Sequence, residues 1–233
     1  MLEVEGLETA YGESRVLFGV DLSVAPGEVV TLLGRNGMGK TTTVNSIFGL
    51  VRPRAGHIRI DGKDMTRAAP HLIAAAGLGL VPEGRQIFPT LSVQENLVAT
   101  ARMPGANGGK WTLERIFELF PSLRERRRNM GDQLSGGEQQ MLAIGRALMT
   151  NPRLIVLDEA TEGLAPLVRE DIWTCLHLLK DEGEAILLID KNVDALTRLA
   201  DRHLVIEKGR IVWTGTSSEL LETPDIKDRY LSV

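Results

Sequence analysis

Apolar residues along this chain follow two kinds of pattern, and the pattern changes twice. Near the N-terminus they come in short runs. Leu2-Glu3-Val4-Glu5 alternates as a half-buried strand does, and residues 16–24 mix β-branched and polar positions before the Pro26-Gly27 turn signal. Val29-Val30-Thr31-Leu32-Leu33 is an almost unbroken apolar run, which predicts a buried strand. It leads straight into Gly34, and residues 41–48 predict a helix. Residues 57–62 alternate and end in Asp61-Gly62, while 78–81 predict another buried strand closed by Pro82.

From about Ser92 to Thr150 the spacing becomes helical. Ser92-Val93-Gln94-Glu95 has the order of a capping box. Residues 103–109 read as a loop, 113–120 as an amphipathic helix, and Pro121-Ser122 as the start of the next. Residues 136–148 place Met141, Ile144, Ala147 and Leu148 on one helical face. After Pro152 strands and helices alternate again. Strands are predicted at 154–157 and 186–189. One helix is marked by Val168, Ile172, Cys175, Leu176 and Leu179, and a second covers 193–199. Residues 204–206 and 211–213 form a hairpin around Lys208-Gly209. The order predicts one α/β domain, with 1–84 and 152–233 as its core and 85–151 as an inserted helical segment.

Composition narrows the function classes. A 43% hydrophobic fraction supplies a sizeable core for 233 residues. The net charge of −4 argues against a general nucleic-acid binder, which carries a basic excess. Cys175 is the single cysteine, so no internal disulfide forms, which suits a reducing cytoplasm. No stretch approaches the roughly 18 apolar residues of a membrane-spanning helix, and Met1 to Glu5 lacks the basic-then-apolar order of a signal peptide. The expectation is a soluble chain that reaches a membrane only by binding another protein.

Gly34-Arg35-Asn36-Gly37-Met38-Gly39-Lys40-Thr41, with Thr42 following, fits the spacing of a phosphate-binding loop between a strand and a helix. Glycines permit unusual backbone angles and leave room for phosphate oxygens, and N–H groups at a helix start favour an anion. Lys40 is placed to reach the β- and γ-phosphates of a nucleotide, and Thr41 to ligate Mg²⁺. A second motif, Leu154-Ile155-Val156-Leu157-Asp158-Glu159, is an apolar strand ending in two carboxylates. Strand ends in parallel sheets open onto ligand crevices. Asp158 is the candidate Mg²⁺ ligand and Glu159 the candidate general base for an attacking water, the two pointing apart along a strand. Without the upstream loop, a strand ending in a solvated turn would be the better reading.

The third motif is Leu134-Ser135-Gly136-Gly137-Glu138-Gln139-Gln140, where Ser135 and Glu138 have capping-box spacing at a helix start. With these three motifs in this order, the chain resembles the ATP-binding subunits of ABC transporters over nearly its whole length. The resemblance implies a P-loop NTPase fold with a RecA-like core, an N-terminal antiparallel β-subdomain and an inserted helical subdomain. It implies ATP and Mg²⁺ as ligands, Tyr11 as the ring stacked on adenine, and Ser135, Gly136, Gly137 and Glu138 as the signature that covers the γ-phosphate in a second subunit. It also implies a head-to-tail dimer with itself or another ABC ATPase, integral membrane permease subunits, indirectly an extracytoplasmic solute-binding protein, and work at the cytoplasmic face of the membrane. Residues 81–97, Val81-Pro82-Glu83 through Asn96-Leu97, and Thr161-Glu162-Gly163-Leu164-Ala165-Pro166 look like the branched-chain amino acid uptake group, as does the short C-terminus. Urea and amide importers share these features.

Three positions depart from the family's common pattern. Glu83 stands where most members have glutamine, the link between nucleotide and membrane partner, and adds a carboxylate near Mg²⁺. Lys191 stands at the switch position usually held by histidine; it reads equally as a point charge near phosphate and as a solvated lysine. Ala160 replaces a common proline. Slow hydrolysis by the isolated chain is expected, with a histidine-bearing partner ATPase supplying most turnover. Arg124, Arg126, Arg127 and Arg128 read as a solvated helix face, with membrane contact the second reading. A DNA-repair or translation ATPase, or a regulatory module that binds nucleotide without hydrolysis, are the competing functions. The single motor half and the presence of Glu159 weigh against them.

Overall fold

The structure is a computed structural model that describes residues 1–102, 109–226 and 230. Of the loop expected at 103–109, all but Gly109 lies outside the described residues, as does part of the C-terminus. Among the described residues the strands form two sheets. Strands β1 (Leu2–Tyr11), β2 (Ser14–Val24), β4 (Ala55–Ile60) and β5 (Lys63–Asp64) make an antiparallel sheet in the order β2-β1-β4-β5. The second sheet runs β10-β9-β3-β8-β7-β6, built from β3 (Val29–Leu33), β6 (Leu78–Val81), β7 (Leu154–Asp158), β8 (Ala185–Ile189), β9 (Arg202–Glu207) and β10 (Arg210–Gly215). All its neighbouring pairs are parallel except β9–β10, the predicted hairpin.

The central strands read as unbroken apolar runs because both their faces are covered. In β3, Val29 and Leu33 enter one core while Val30 and Leu32 enter the other. In β7, Ile155 and Leu157 face the first core, and Leu154 and Val156 the second. The second core lies between this sheet and the antiparallel one, and takes in α1 (Lys40–Ile47) and α2 (Pro70–Ala75). The first core packs the remaining helices on the opposite face. These are α3 (Val93–Ala99), α4 (Leu113–Leu119), α5 (Pro121–Glu125), α6 (Gly136–Met149), α7 (Pro166–Asp181), α8 (Val193–Leu199), α9 (Ser217–Glu222) and α10 (Pro224–Ile226).

Strand β1 is longer than its Leu2–Glu5 alternation predicts. Leu2 and Val4 are buried, then Leu7 and Thr9, a one-residue change of phase. Gly6 causes it: its φ is 56°, and the pairing with β2 shifts register between Val4 and Leu7. The helix starts obey their caps. Ser92 accepts from the Glu95 N–H while Glu95 accepts from the Ser92 N–H, and Pro121 opens α5. Among the described residues, no helix is long and apolar enough to cross a membrane.

Candidate functional site

Residues 34–39 connect β3 to α1 along a path that needs glycine. Gly34, Gly37 and Gly39 have φ of 152°, 78° and 109°. A Cβ on Gly34 would stand 2.4 Å from the Ile206 carbonyl oxygen, and one on Gly39 would stand 2.8 Å from a Leu17 methyl. The β9–β10 turn braces the loop from outside, with the Gly209 N–H donating to the Met38 carbonyl at 2.9 Å. Gly39 is the N-cap of α1 and no side chain caps that helix, so its first N–H groups remain for an anion. Lys40 is 7% exposed and arches over its own loop, its Nζ donating to the carbonyls of Gly34 at 2.8 Å and Arg35 at 3.0 Å. Burial lowers its pKa, and the carboxyl groups of Glu159 and Asp158 oppose that shift. Arg35 and Asn36 are exposed at the rim. The loop faces a cleft of about 490 Å³ lined by Asn36, Gly37, Gly39, Lys40, Thr41 and Thr42, together with Val16, Glu83, Glu159 and Glu162.

Of the acidic pair, Glu159 lines this cleft, while Asp158 borders a smaller space that shares Thr41 and Glu83 with it. Asp158 ends β7 and is 2% exposed. Burial raises its pKa, partly offset by a hydrogen bond from the Thr41 hydroxyl. Its Oδ1 is buried with no hydrogen-bond partner among the protein groups, a costly state for a lone acceptor. Thr41, Asp158 and Glu83 border one small space of about 250 Å³. A hydroxyl and carboxylates with an unmet buried acceptor fit a hard cation such as Mg²⁺. That ion takes one or two protein carboxylates and completes its shell with water and phosphate.

Glu159 does not continue the strand. Its φ is 55°, so its side chain diverges from Asp158 by a left-handed turn rather than by the alternation along a strand expected from sequence. Its N–H donates to the Ile189 carbonyl at 2.9 Å. Hydrogen bonding to Glu162 and then burial raise the Glu159 pKa to about 7, while that bond and Lys191 hold Glu162 low. Lys191 is ion-paired with Glu162, both side chains being 48% exposed. Beneath them Asp190 accepts from the Thr161 hydroxyl at 2.6 Å and the Thr161 N–H at 3.0 Å.

The signature residues lie outside the cleft lining. Ser135 and Glu138 cap α6 reciprocally, with the Ser135 N–H donating to Glu138 at 2.8 Å. A Cβ on Gly136 would meet the Arg85 guanidinium at 2.6 Å, and one on Gly137 would meet Val168 at 2.5 Å. Arg126, from the basic cluster, pairs with Glu138 at 2.6 Å, and Arg124 with Glu114 at 2.9 Å. The loop after Glu83 is tied to α6 as well. Arg85 and Gln86 have φ of 65° and 41°, and Arg146 donates to the Gln86 carbonyl at 2.7 Å while lying 4.1 Å over the Phe88 ring. Tyr11 is 49% exposed at the end of β1, outside the cleft lining, where Val16 of β2 takes part instead. Sequence reading missed Val16, Asp190, Arg146 and the role of Glu162 because each works through a tertiary contact. Cys175 is buried in the first core.

Residues 17–162 match the family model described as ABC transporter. The chain is 39% identical to the high-affinity branched-chain amino acid transport ATP-binding protein BraG of Pseudomonas aeruginosa, covering 99% of each chain. It is 36% identical to the lipopolysaccharide export system ATP-binding protein LptB of Escherichia coli, covering 99% of this chain and 96% of the relative. It is 33% identical to a probable LivF, a branched-chain amino acid transport ATP-binding protein of Archaeoglobus fulgidus, over 95% and 94%. A solved nucleotide-free ATP-binding cassette from an ABC transporter superposes with a TM-score of 0.83 at 31% identity, over 96% of this chain and 94% of that one. The fold, the phosphate loop with its acidic pair and these likenesses agree: the chain belongs to the ABC transporter family, as an ATP-hydrolysing, nucleotide-binding subunit.

Proposed function

We propose that this subunit powers a branched-chain amino acid importer by binding Mg-ATP between its phosphate loop and the signature of a second ABC ATPase, and by hydrolysing it. The carrying observation is the cleft that joins Lys40 and Thr41 to Glu83 and Glu159, next to the orphaned Asp158 oxygen. The loop N–H groups and Lys40 hold the phosphates. Thr41, Asp158 and Glu83 would hold Mg²⁺, which supplies charge neutralisation at the phosphates. Glu159 takes the proton of the attacking water. Ser135 to Glu138 of one subunit serve the other subunit's nucleotide, and Tyr11 stacks on adenine. Segment 85–151 acts as the helical lobe that meets integral membrane permease subunits at the cytoplasmic face. The BraG and LivF likenesses support the solute class, with an extracytoplasmic binding protein choosing the solute itself. The LptB likeness supports a second reading, the motor of an export system.

The test is Mg-dependent phosphate release. Glu159→Gln is expected to lose at least about 100-fold in rate while still binding ATP. A variant as active as the wild type removes Glu159 from the role. Low activity of the isolated chain that rises on reconstitution with a permease and a second ATPase is the expected behaviour of half a motor. Uptake of a labelled branched-chain amino acid by that assembly decides the solute class.

A further inference from the structure

A cavity of about 970 Å³ lies between the β4–β5 hairpin and α2, and it shares no residue with the phosphate cleft. Arg153 on its wall immediately precedes β7, whose other end carries Asp158, so the two sites stand about 15 Å apart along that strand. The lining has two characters. Ile60 and Met65 are buried, and with Ala68, Ala75 and the half-exposed Leu72 they make an apolar floor. Around it stand four basic side chains, Arg54, Lys63, Arg67 and Arg153, against two carboxylates, Asp61 and Asp64. That is a local positive surplus on a chain whose net charge is −4. Both carboxylates are already engaged. Asp61 pairs with Arg153 at 2.5 Å, and Asp64 accepts from the Thr66 N–H at 2.8 Å and the Thr66 hydroxyl at 2.6 Å. Arg153 also donates to the Ala76 carbonyl, and Arg54 to that of Gly12. The Lys63 and Arg67 side chains are exposed and form no hydrogen bond or ion pair with any of the described residues.

We infer that this cavity is a second binding site, for a small amphiphilic anion whose apolar body lies on the floor and whose carboxylate head is held by Lys63 and Arg67. An unpaired surface lysine or arginine is ordinary by itself. Here two of them border one apolar concavity, and a mostly apolar hollow with a few convergent polar groups is the usual form of a small-molecule site. The floor favours burial of a hydrocarbon body, and the free ammonium and guanidinium favour an anionic head through charge-assisted hydrogen bonds. A cationic or zwitterionic ligand fits less well, because Asp61 and Asp64 have their partners within the chain. The site is independent of the nucleotide chemistry, so it stands or falls apart from the ATPase reading.

The experiment is calorimetric titration of the full chain with three probes: octanoate, which has head and tail; acetate, the head alone; and 1-octanol, the tail with an uncharged head. Octanoate is expected to bind saturably below about 1 mM, with acetate and 1-octanol each at least about 10-fold weaker. Two variants test the place. Lys63→Glu with Arg67→Glu reverses the exposed charges, and Ala75→Trp fills the cavity from an exposed position on α2, so both leave the core alone and are checked by thermal melting. Each is expected to weaken octanoate by about 10-fold or more, while saturating Mg-ATP changes its affinity by less than about 2-fold. Acetate binding as well as octanoate overturns the proposal in favour of a plain surface anion patch. 1-Octanol binding as well overturns it in favour of an apolar hollow without a head site. Displacement of octanoate by Mg-ATP, or binding unchanged in both variants, places the probe elsewhere and overturns it too. So does the lack of saturable octanoate binding by the folded wild type.

Discussion

His203 is a residue whose chemistry is set by burial. It is fully buried, its Nδ1 2.6 Å from the Thr31 hydroxyl and its Nε2 2.9 Å from Ser217 Oγ, which in turn donates to the Ala200 carbonyl at 3.0 Å. That chain fixes a neutral ring with the proton on Nε2. Burial lowers its pKa from 6.5 to about 4. Below pH 6.5 the unfolded chain binds a proton that the folded one refuses, so stability falls as pH drops from 6.5 towards 4. The expected loss from this group is about 2 kcal/mol between pH 7 and pH 5, read by urea unfolding at the two values. His203→Gln is expected to flatten that slope. The sequence shows only four scattered histidines, because the partners of His203 come from β3 and the start of α9. Glu159 makes the same point for the site. Its adjacency to Asp158 is plain in the sequence, but the turn that separates the two is a backbone event without a composition signal.

At the scale of elements, spacing carries most of what is needed. The phosphate loop was legible because strand, glycines, lysine and helix are contiguous, and α6 because Ser135 and Glu138 state its first turn. The loop's glycines differ in what they tolerate. Gly34→Ala drives a methyl into the Ile206 carbonyl and is expected to cost about 3 kcal/mol or more, with loss of nucleotide binding. Gly37 faces open space, so Gly37→Ala meets only the left-handed penalty of about 1 kcal/mol. Denaturation midpoints and nucleotide titration of the two variants measure the contrast. What escaped notice was short. The two-residue β5 has no period to detect, and α2 opens on Pro70 without a polar cap. The capping box of α9, Thr216 with Glu219, was visible but sits in a six-residue helix too short to show a stripe.

At the scale of the molecule, the phosphate cleft and the signature are separate surfaces of one chain. Each is incomplete alone if the proposed function holds. ATP is then expected to drive association of Glu159→Gln, where the nucleotide persists, and a Ser135→Arg change is expected to prevent it. Size-exclusion chromatography or sedimentation with Mg-ATP and with Mg-ADP reads both outcomes.

The strand order carries a last consequence. Strands β6 and β7 are parallel neighbours, yet residues 82–153 lie between them. A crossover of a dozen or so residues would satisfy the same pairing. The sheet therefore dictates only the two points where this long excursion departs and returns, not its contents. If the proposed function holds, such an arrangement behaves as a cartridge: its outward faces can be rewritten for a new membrane protein so long as the residues it lends to the nucleotide, Glu83 and Ser135 to Glu138, are kept together with β3 and β7.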